Sequence, residues 1–273
     1  MRSAAEDFDL GETVECGQLF RYERIGSTYL IGSGDRFFTV EQTGGTLVHR
    51  GISAKALVRF FRLDDDLELI RRAAEPRVRR LMQCYRGLRL VRQEPWECLI
   101  SFMTSTASNI PRIRGCLRRL CERFGRPLHA FGETRHAFPR PGELGDEAAL
   151  RGLGFGFRAK AIAAVSRIHD IAARLERLRA PRTSYEDARC WLMRSLPGVG
   201  PKVADCVLLF SLDHLEAFPV DVWIKRAMER LYFGGRTTTA RRIHAFARER
   251  FGCYAGYYQQ YIYHNQRVRY GRV

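Results

Sequence analysis

Residues 184–221, SYEDARCWLMRSLPGVGPKVADCVLLFSLDHLEAFPVD, have the pattern of two helices joined by a glycine-rich hairpin. Ser184 and Asp187 have the spacing of a capping box, in which two side chains satisfy free N–H groups at a helix start. Apolar residues then recur at helical spacing, so we predict a helix over 185–196. Pro197 ends this helix because it cannot continue the backbone hydrogen bonding.

The hairpin that follows is made of residues that permit a tight turn. Gly198 and Gly200 have no side chains, and Pro201 suits the first position of a new helix, which we predict over 201–212. Such a turn exposes backbone N–H groups at a helix N-terminus, where a phosphate can bind. Lys202 therefore lies in the first turn of a helix, beside a predicted phosphate site.

Two roles are open to Lys202: a second phosphate contact or, if it is desolvated, a nucleophile. The second role requires a lowered pKa, because a lysine near the reference pKa of about 10.4 is only about one part in a thousand neutral near neutral pH. Cys206 lies one turn further on the same face. Asp221 is predicted to cap a helix over 222–232, which favours an ionised carboxylate. A helix-hairpin-helix that only grips DNA remains the alternative.

The charge balance of the 273-residue chain points to a polyanionic partner. Lysine and arginine number 46 against 30 acidic residues, which gives a formal net charge of +16. Arginine dominates this excess and is spread along the chain, so it favours a folded basic surface that binds nucleic acid. An arginine-rich genome would produce part of the same bias. The length allows one or two domains.

Neither the N-terminus nor the cysteines indicate an export signal or a metal site. The first residues, MRSAAEDFDLGE, are acidic and lack the apolar core of a signal peptide, and no apolar run reaches transmembrane length. The eight cysteines form no CxxC pair. We therefore expect reduced cytosolic thiols that bind neither zinc nor an iron–sulfur cluster.

The periodicity of the chain changes once. Short aromatic and β-branched runs over 17–24, 27–33, 36–42 and 45–50 are separated by turn signals and predict an antiparallel sheet. After Ser53 the apolar residues recur at helical spacing, and the alternating pattern of strands does not reappear. This spacing predicts helices over 67–74, 76–85, 96–104, 110–124, 147–153, 158–178, 239–251 and 254–266. We predict an α+β fold with a sheet domain over 1–85 and a helical domain over 86–273, containing the helix-hairpin-helix at 185–212.

Three further segments bear on binding, each with a simpler structural explanation. Residues 152–158, GLGFGFR, put glycines and aromatics before a helix, which suits entry into a duplex but is also a common turn. Residues 254–263, YAGYYQQYIY, are typical of a core stripe or of a base-stacking wall. Residues 104–109, TSTASN, are small polar residues that line a groove or cap the preceding helix.

Taken together, these motifs resemble one enzyme family. LPGVGPKVADCVLLFSLDHLEAFPVDVW is similar to the helix-hairpin-helix, catalytic lysine and following aspartate of the base-excision glycosylase superfamily. ECGQLFRY, RGLRLVRQEPWECLISFMTS, GFGFRAKAI and GCYAGYYQQYIY are similar, in order, to the 8-oxoguanine DNA glycosylase family. The resemblance runs from about residue 9 to residue 263.

The resemblance implies a bifunctional glycosylase with β-lyase activity, acting as a monomer on double-stranded DNA that contains 8-oxoguanine. It also implies that no metal or cofactor is needed, and a location in the cytoplasmic nucleoid if the protein is bacterial or in the nucleus if it is eukaryotic. Such an enzyme flips the damaged nucleotide into a pocket. Lys202 would attack the sugar C1′, release the base and form a Schiff base, after which β-elimination nicks the strand. Asp221 would stabilise the cationic sugar. A helix-hairpin-helix glycosylase for another damaged base and a DNA-binding module without chemistry are the alternatives.

The resemblance also implies roles for the residues that contact the base and the DNA. The backbone carbonyl of Gly17 would accept a hydrogen bond from the N7–H group that distinguishes 8-oxoguanine from guanine. Gln259 would bind the Watson–Crick edge of the base, and Tyr263 and Cys206 would lie against its two faces. The implied DNA contacts are Ser108, Asn109, Arg112, Phe157, Arg158, Gly198, Val199, Gly200 and Trp223.

Three residues, at two places in the chain, depart from the family pattern of DNA contacts. Ala107 and Ser108 stand where the animal enzymes have an asparagine pair that reads the orphaned cytosine, so strict preference for cytosine opposite the lesion is in doubt. Trp223 stands where a histidine that contacts the 5′ phosphate is expected, and an indole N–H replaces that bond only in part.

Overall fold

The computed structural model describes residues 1–270. Five strands near the N-terminus form one antiparallel sheet in the order β1-β5-β4-β3-β2. Their bounds are β1 Arg2–Ala4, β2 Tyr22–Ile25, β3 Thr28–Ser33, β4 Arg36–Thr43 and β5 Thr46–Arg50. The predicted α+β class, an antiparallel sheet followed by a mostly helical body, is confirmed. Within the described residues no helix is both long and apolar enough to cross a bilayer.

Alternating side chains set the register of the sheet. Ile31 is paired with Phe38, and Tyr29 with Val40, so these four buried residues form one apolar face. They belong to the same hydrophobic cluster as Leu57 of the following helix. Strand β1 lies outside the predicted strands because three residues are too few for a period-2 pattern.

The segment from Gly17 to Phe20 leaves the sheet, although the strand pattern assigned it to the first strand. It follows a helix, α1 Leu10–Glu15, and the strand begins only at Tyr22. The buried Gln18 amide donates to Arg89 O at 2.8 Å and accepts from Val91 N at 2.9 Å. These hydrogen bonds attach the segment to the chain at 89–91, so Gly17 lies in a loop and not at a strand entry.

Thirteen further helices within the described residues build most of the body. Their bounds are α2 Ala54–Phe60, α3 Leu67–Ala73, α4 Pro76–Cys84, α5 Pro95–Thr104, α6 Ile110–Phe124, α7 Glu147–Leu150, α8 Arg158–Ser166, α9 Ile171–Arg177, α10 Tyr185–Ser195, α11 Pro201–Ser211, α12 Val222–Tyr232, α13 Ala240–Phe251 and α14 Ala255–Tyr270. The predicted helices over 67–74, 76–85, 96–104 and 110–124 are confirmed to within one residue at each end.

Three predictions about the body are wrong in detail. Strands β6 Pro127–Ala130 and β7 Glu133–His136 form a hairpin, although no strand was expected after Ser53. The helix expected over 158–178 is broken into α8 and α9, with Asp170 in the left-handed conformation (φ 53°) between them. The helix expected over 147–153 ends at Leu150 and continues as a π-helical turn, Arg151–Phe155.

The helix-hairpin-helix is confirmed as α10 and α11. Ser184 Oγ accepts from Asp187 N at 3.1 Å, which is the first hydrogen bond of the predicted capping box, and the Asp187 carboxylate accepts from the Ser184 hydroxyl at 2.6 Å in place of its backbone N–H. From Val203 to Ser211 every residue of α11 is buried. Phe102 of α5 stacks on Phe210 at 5.3 Å between ring centroids. Helix α11 is therefore a central core element, and only its first turn reaches the surface.

Helix α14 crosses the same core next to α11. Gly256 N donates to Leu215 O at 2.7 Å. A Cβ at position 256 would lie 2.1 Å from Leu209 Cδ1, 2.8 Å from Leu215 O and 2.9 Å from Ala217 O. Since backbone oxygens cannot rotate away, only glycine permits this approach. The contact fixes the position of the residues further along α14.

A buried network of charges joins the N-terminal layer to the helical body. Asp213, which follows α11, accepts hydrogen bonds from Arg62 at 2.6 Å, Arg92 at 2.8 Å and Arg179 at 2.8 Å. Burial alone would raise its pKa, but the three guanidinium groups hold the pKa of Asp213 down at about 2. The ionised carboxylate thus connects three separate parts of the chain.

We predict that Gly256→Ala lowers the free energy of unfolding by about 2 kcal/mol, because overpacking a rigid contact costs about 1–3 kcal/mol. Gly115→Ala is the matched control. It is also a helical glycine, but a Cβ there meets only the flexible end of Arg119, at 3.3 Å. Alanine should be neutral or stabilising at 115. Urea unfolding of both variants measures the difference, and equal stabilities would contradict the packing interpretation.

Candidate active site and DNA-contacting surface

Lys202 lies in the first turn of α11, where the buried helix reaches the surface. Its Nζ donates a hydrogen bond to Ser105 Oγ at 2.8 Å and lies 5.0 Å from the centroid of the Phe102 ring. Both partners belong to the end of α5. The residue is half-buried, and its amine is held by these contacts.

Asp221 lies at the start of α12, as the sequence predicts. Its Oδ1 accepts from Ile224 N at 2.8 Å, which is the hydrogen bond of a helix N-cap. Burial raises the pKa of Asp221 above its usual value, while the Ile224 N–H and the charge of Lys202 oppose that rise. The carboxylate and the amine therefore interact electrostatically in a partly desolvated site.

Cys206 lies one turn beyond Lys202 on α11 and is 2 % exposed. Burial raises the pKa of its thiol to about 12, although the nearby charge of Lys202 opposes the rise. At neutral pH the group is therefore a protonated thiol. The thiol is therefore not a second nucleophile; it is a small, polarisable group that packs beside the lysine.

Gly17 and Tyr263, which are far apart in sequence, are in contact in the fold. Gly17 has φ 91°, a conformation that favours glycine, and a Cβ there would lie 3.3 Å from Tyr263 Cε1 and 2.7 Å from Arg267 Nη1. Burial and the charge of Asp221 raise the pKa of Tyr263, while Arg267 opposes the rise. Tyr263 thus borders both the Gly17 loop and the catalytic candidates.

Helix α14 fixes the loop around Gly17 and leaves one of its carbonyl groups free. Arg267 donates to Glu15 O at 3.2 Å, and Gln260 donates to Cys16 O at 3.3 Å. Gln18 O accepts from Gln93 at 2.9 Å. Gly17 O, in contrast, accepts no hydrogen bond from residues 1–270. The loop is held on both sides of an available acceptor.

Gln259 is on the same helix and is 4 % exposed. Its Nε2 donates to Pro219 O at 3.1 Å, two residues before Asp221. Its Oε1 is buried and has no hydrogen-bond partner among the described residues. A buried acceptor without a partner costs about 1–3 kcal/mol, so a ligand with a donor group would be favoured at this position.

The hairpin between α10 and α11 has the features of an anion site. Gly198 has φ 78°, and a Cβ there would lie 2.6 Å from Ala161 Cβ, so α8 packs closely behind the turn. Val199 is 5 % exposed. A Cβ at Gly200 would meet no atom within 4 Å. No side chain caps α11, so its first N–H groups are available to an anion.

Arg158 and Asn109 are predicted DNA contacts whose side-chain polar groups already form hydrogen bonds within the protein. The Arg158 guanidinium donates to Thr106 O at 2.7 Å, Ala107 O at 3.0 Å and Phe155 O at 3.1 Å, and the residue is 6 % exposed. Ala107 is left-handed at φ 49°. Arg158 thus holds an unusual turn in place; in this conformation it does not present a free guanidinium to DNA.

The remaining DNA candidates border this turn or the start of α12. Asn109 caps α6 by accepting from Arg112 N at 3.0 Å, so its side chain is also engaged. The Phe157 ring is 65 % exposed and lies 4.7 Å from Arg158 Cζ. The Arg112 side chain is exposed, whereas Ser108 and Trp223, which lies two residues after Asp221, are half-buried.

Sequence reasoning missed three residues that hold the site. Ser105 lies within the small polar run 104–109, but local spacing does not indicate that it meets Lys202. Gln260 and Arg267 continue the aromatic helix without a motif of their own. All three act through contacts between residues far apart in sequence, and no periodicity reports such contacts.

Comparisons with known proteins agree with this geometry. A family model described as "8-oxoguanine DNA glycosylase, N-terminal domain" matches residues 1–99, and one described as "HhH-GPD superfamily base excision DNA repair protein" matches residues 100–253. A probable N-glycosylase/DNA lyase of Methanothermobacter thermautotrophicus is 37% identical over 204 residues, 67% of this chain and 64% of that protein. The match therefore spans less than two thirds of this curated relative.

Two solved structures are similar over nearly their whole length. MBOgg1 in complex with a low-affinity DNA ligand has a TM-score of 0.89 and 34% identity, covering 98% of this chain and 94% of that one. The 8-oxoguanine glycosylase/lyase of Clostridium acetobutylicum, bound to double-stranded DNA with cytosine opposite 8-oxoG, has a TM-score of 0.88 and 30% identity, covering 98% of both chains.

Proposed function

Since the chain belongs to the helix-hairpin-helix superfamily of base-excision DNA repair proteins, and to its 8-oxoguanine DNA glycosylase family, we propose that it removes 8-oxoguanine from duplex DNA and then nicks the strand. The observation that carries the proposal is the position of Lys202: a half-buried amine at an uncapped helix N-terminus, in the field of Asp221 and beside the Gly17–Tyr263 contact. The enzyme acts as a monomer, in the nucleoid of a bacterium or the nucleus of a eukaryote.

The reaction begins with transfer of the damaged nucleotide from the duplex into the pocket. The amine of Lys202 attacks C1′ as the glycosidic bond breaks, and the base leaves with the bonding electrons and takes up a proton. Asp221 stabilises the positive charge that develops on the sugar. Its N-cap hydrogen bond favours the ionised form that this role requires.

Strand cleavage follows from the same covalent bond. The Lys202–C1′ adduct opens the sugar ring to a Schiff base, whose positive nitrogen acidifies the C2′ protons. Loss of one of these protons expels the 3′ phosphate by β-elimination. Hydrolysis of the Schiff base then restores the lysine. Phosphates of the bound strand fit the uncapped N-terminus of α11 and the open space at Gly200.

Recognition of the lesion is assigned to groups that the protein leaves without partners. The free Gly17 carbonyl would accept a hydrogen bond from the N7–H group, which guanine lacks. The buried Gln259 Oε1 would accept a donor from the Watson–Crick edge. Tyr263 and Cys206 would lie against the two faces of the base.

A covalent-trapping experiment tests the lysine. With borohydride and a duplex that carries one 8-oxoguanine opposite cytosine, we expect a stable protein–DNA adduct that is absent in Lys202→Gln. Lys55→Gln is the control, because this exposed lysine lies on α2, a helix that carries none of the candidate site residues, and should be dispensable. Undiminished trapping by Lys202→Gln would contradict the mechanism. Trapping on an abasic site but not on 8-oxoguanine would support the lyase activity and contradict 8-oxoguanine as the substrate.

A second prediction concerns the base opposite the lesion. Ala107 has no amide to read cytosine, so excision rates opposite C, A, G and T should lie within about tenfold of one another. The left-handed backbone of Ala107 is one that asparagine tolerates better than most residues. Ala107→Asn should therefore raise the preference for cytosine. An absolute requirement for cytosine in the wild type would contradict this interpretation.

A third prediction concerns Gly17. In Gly17→Ala the new Cβ would crowd Tyr263 and Arg267, shift the free carbonyl and slow excision of 8-oxoguanine by about tenfold or more. Gly44→Ala has the same left-handed penalty (φ 57°) in a turn where a Cβ meets no atom within 4 Å. Single-turnover rates of both variants separate the two effects. If both variants excise 8-oxoguanine at the same rate, backbone strain and not crowding of the pocket explains any loss in Gly17→Ala.

A further inference from the structure

Ser105 occupies a position next to the nucleophile that the mechanism above does not use. It is the C-cap of α5, and its Oγ lies 2.8 Å from Lys202 Nζ. The residue is half-buried, and its hydroxyl is the hydrogen-bond partner of the Lys202 amine. The lysine at the start of α11 is thus attached to the end of a different helix.

The hydroxyl hydrogen of Ser105 is already used. Ser105 Oγ donates to Phe102 O at 2.6 Å, one turn earlier in α5. A hydroxyl has only one hydrogen, so toward the lysine Oγ can only accept. The Nζ–H group therefore points at Ser105, and the lone pair of the deprotonated amine points away from it.

The surroundings of the amine restrict its remaining freedom. The Phe102 ring lies 5.0 Å from Nζ and is itself stacked on Phe210 of α11. The residues after Ser105 are also fixed, because Arg158 binds the carbonyl groups of Thr106 and Ala107. The acceptor is therefore anchored by α5 on one side and by the Arg158-bound turn on the other.

We propose that Ser105 is a positioning residue for the amine of Lys202, which directs the lone pair of Nζ toward the sugar C1′ of a flipped nucleotide. This inference rests on the proposed glycosylase activity. A long lysine side chain samples many rotamers in water, and attack requires one orientation within a small tolerance. Ser105 selects that orientation before the substrate arrives. It need not touch the DNA.

Three variants of Ser105 test the proposal. Ser105→Ala removes the acceptor, and Ser105→Thr keeps it. Ser105→Val has nearly the shape of threonine without the hydroxyl, so the Thr and Val pair isolates the hydrogen bond from packing. Single-turnover base release and borohydride trapping should fall by about ten- to a hundredfold in Ala and Val. Threonine should remain within a few-fold of the wild type. Affinity for a duplex with a non-cleavable lesion should change by less than about twofold in all three.

A matched control removes a similar hydroxyl elsewhere in the same core. Ser211 Oγ donates to Val207 O at 2.6 Å, one turn earlier in α11, and this hydroxyl lies at the opposite end of α11 from Lys202. Ser211→Ala should leave the rate unchanged even where its thermal stability falls as much as that of Ser105→Ala.

The proposal is overturned if Ser105→Ala or Ser105→Val reacts at the wild-type rate, if Thr and Val are equally impaired, or if DNA affinity falls in step with the rate. An equal loss of rate in Ser211→Ala would also overturn it. Failure of the glycosylase assignment itself has a different signature, because then the wild-type protein would give no adduct with 8-oxoguanine DNA.

Discussion

The close approach of α14 to Leu209 of α11 and to the segment that follows α11 is the constraint on which the site depends. Helix α11 carries Lys202 and Cys206, and α14 carries Gln259 and Tyr263, so this approach holds the two sets of residues in one site. Gly256 makes the approach possible, since a Cβ there would overlap Leu209 and the backbone oxygens of Leu215 and Ala217. The same helix holds the Gly17 loop through Gln260 and Arg267. One contact thereby positions the nucleophile and the base-recognition groups relative to each other.

The electrostatics of the site place opposite charges at two helix N-termini. A carboxylate is stabilised there, and Asp221 has the N-cap hydrogen bond that favours its ionised form. Lys202 lies at the same kind of position, at the start of α11 where no side chain caps the helix, and must react there as a neutral amine. Behind this pair, the buried Asp205 binds Arg189 at 2.7 Å and Tyr185 at 2.8 Å, so α10 and α11 keep their relative orientation.

Much of the fold could be predicted from local sequence signals. The capping box at Ser184 and the Gly-Pro pattern before Lys202 fix the ends of α10 and α11 to within one residue, because caps and turns depend on neighbouring residues. Strand β1 and the β6–β7 hairpin were not predicted, because short, polar strands have no clear alternation of apolar and polar residues. The break at Asp170 has no glycine or proline to mark it, and the non-glycine left-handed conformation there depends on tertiary context.

In the site, too, only the relations between residues close in sequence could be predicted from local patterns. Spacing along one helix predicted that Cys206 lies beside Lys202, whereas Asp221, the predicted cap of another helix, was connected to the lysine by resemblance to a family. Gly17 and Tyr263 were connected only by resemblance to a family, since no local rule joins residues at opposite ends of a chain. The contacts of Ser105 with Lys202 and of Arg267 with the Gly17 loop have no sequence signal at all. They arise from packing, which the pattern of one chain does not report.

The central claim is that one particular amine forms the bond to DNA. The chain has only four lysines, Lys55, Lys160, Lys202 and Lys225, so proteolysis and mass spectrometry of the borohydride-reduced adduct can locate that bond without ambiguity. We predict that the mass of the sugar fragment appears on the peptide containing Lys202 and on no other peptide. An adduct on another lysine or on the N-terminal amine would contradict the proposed mechanism.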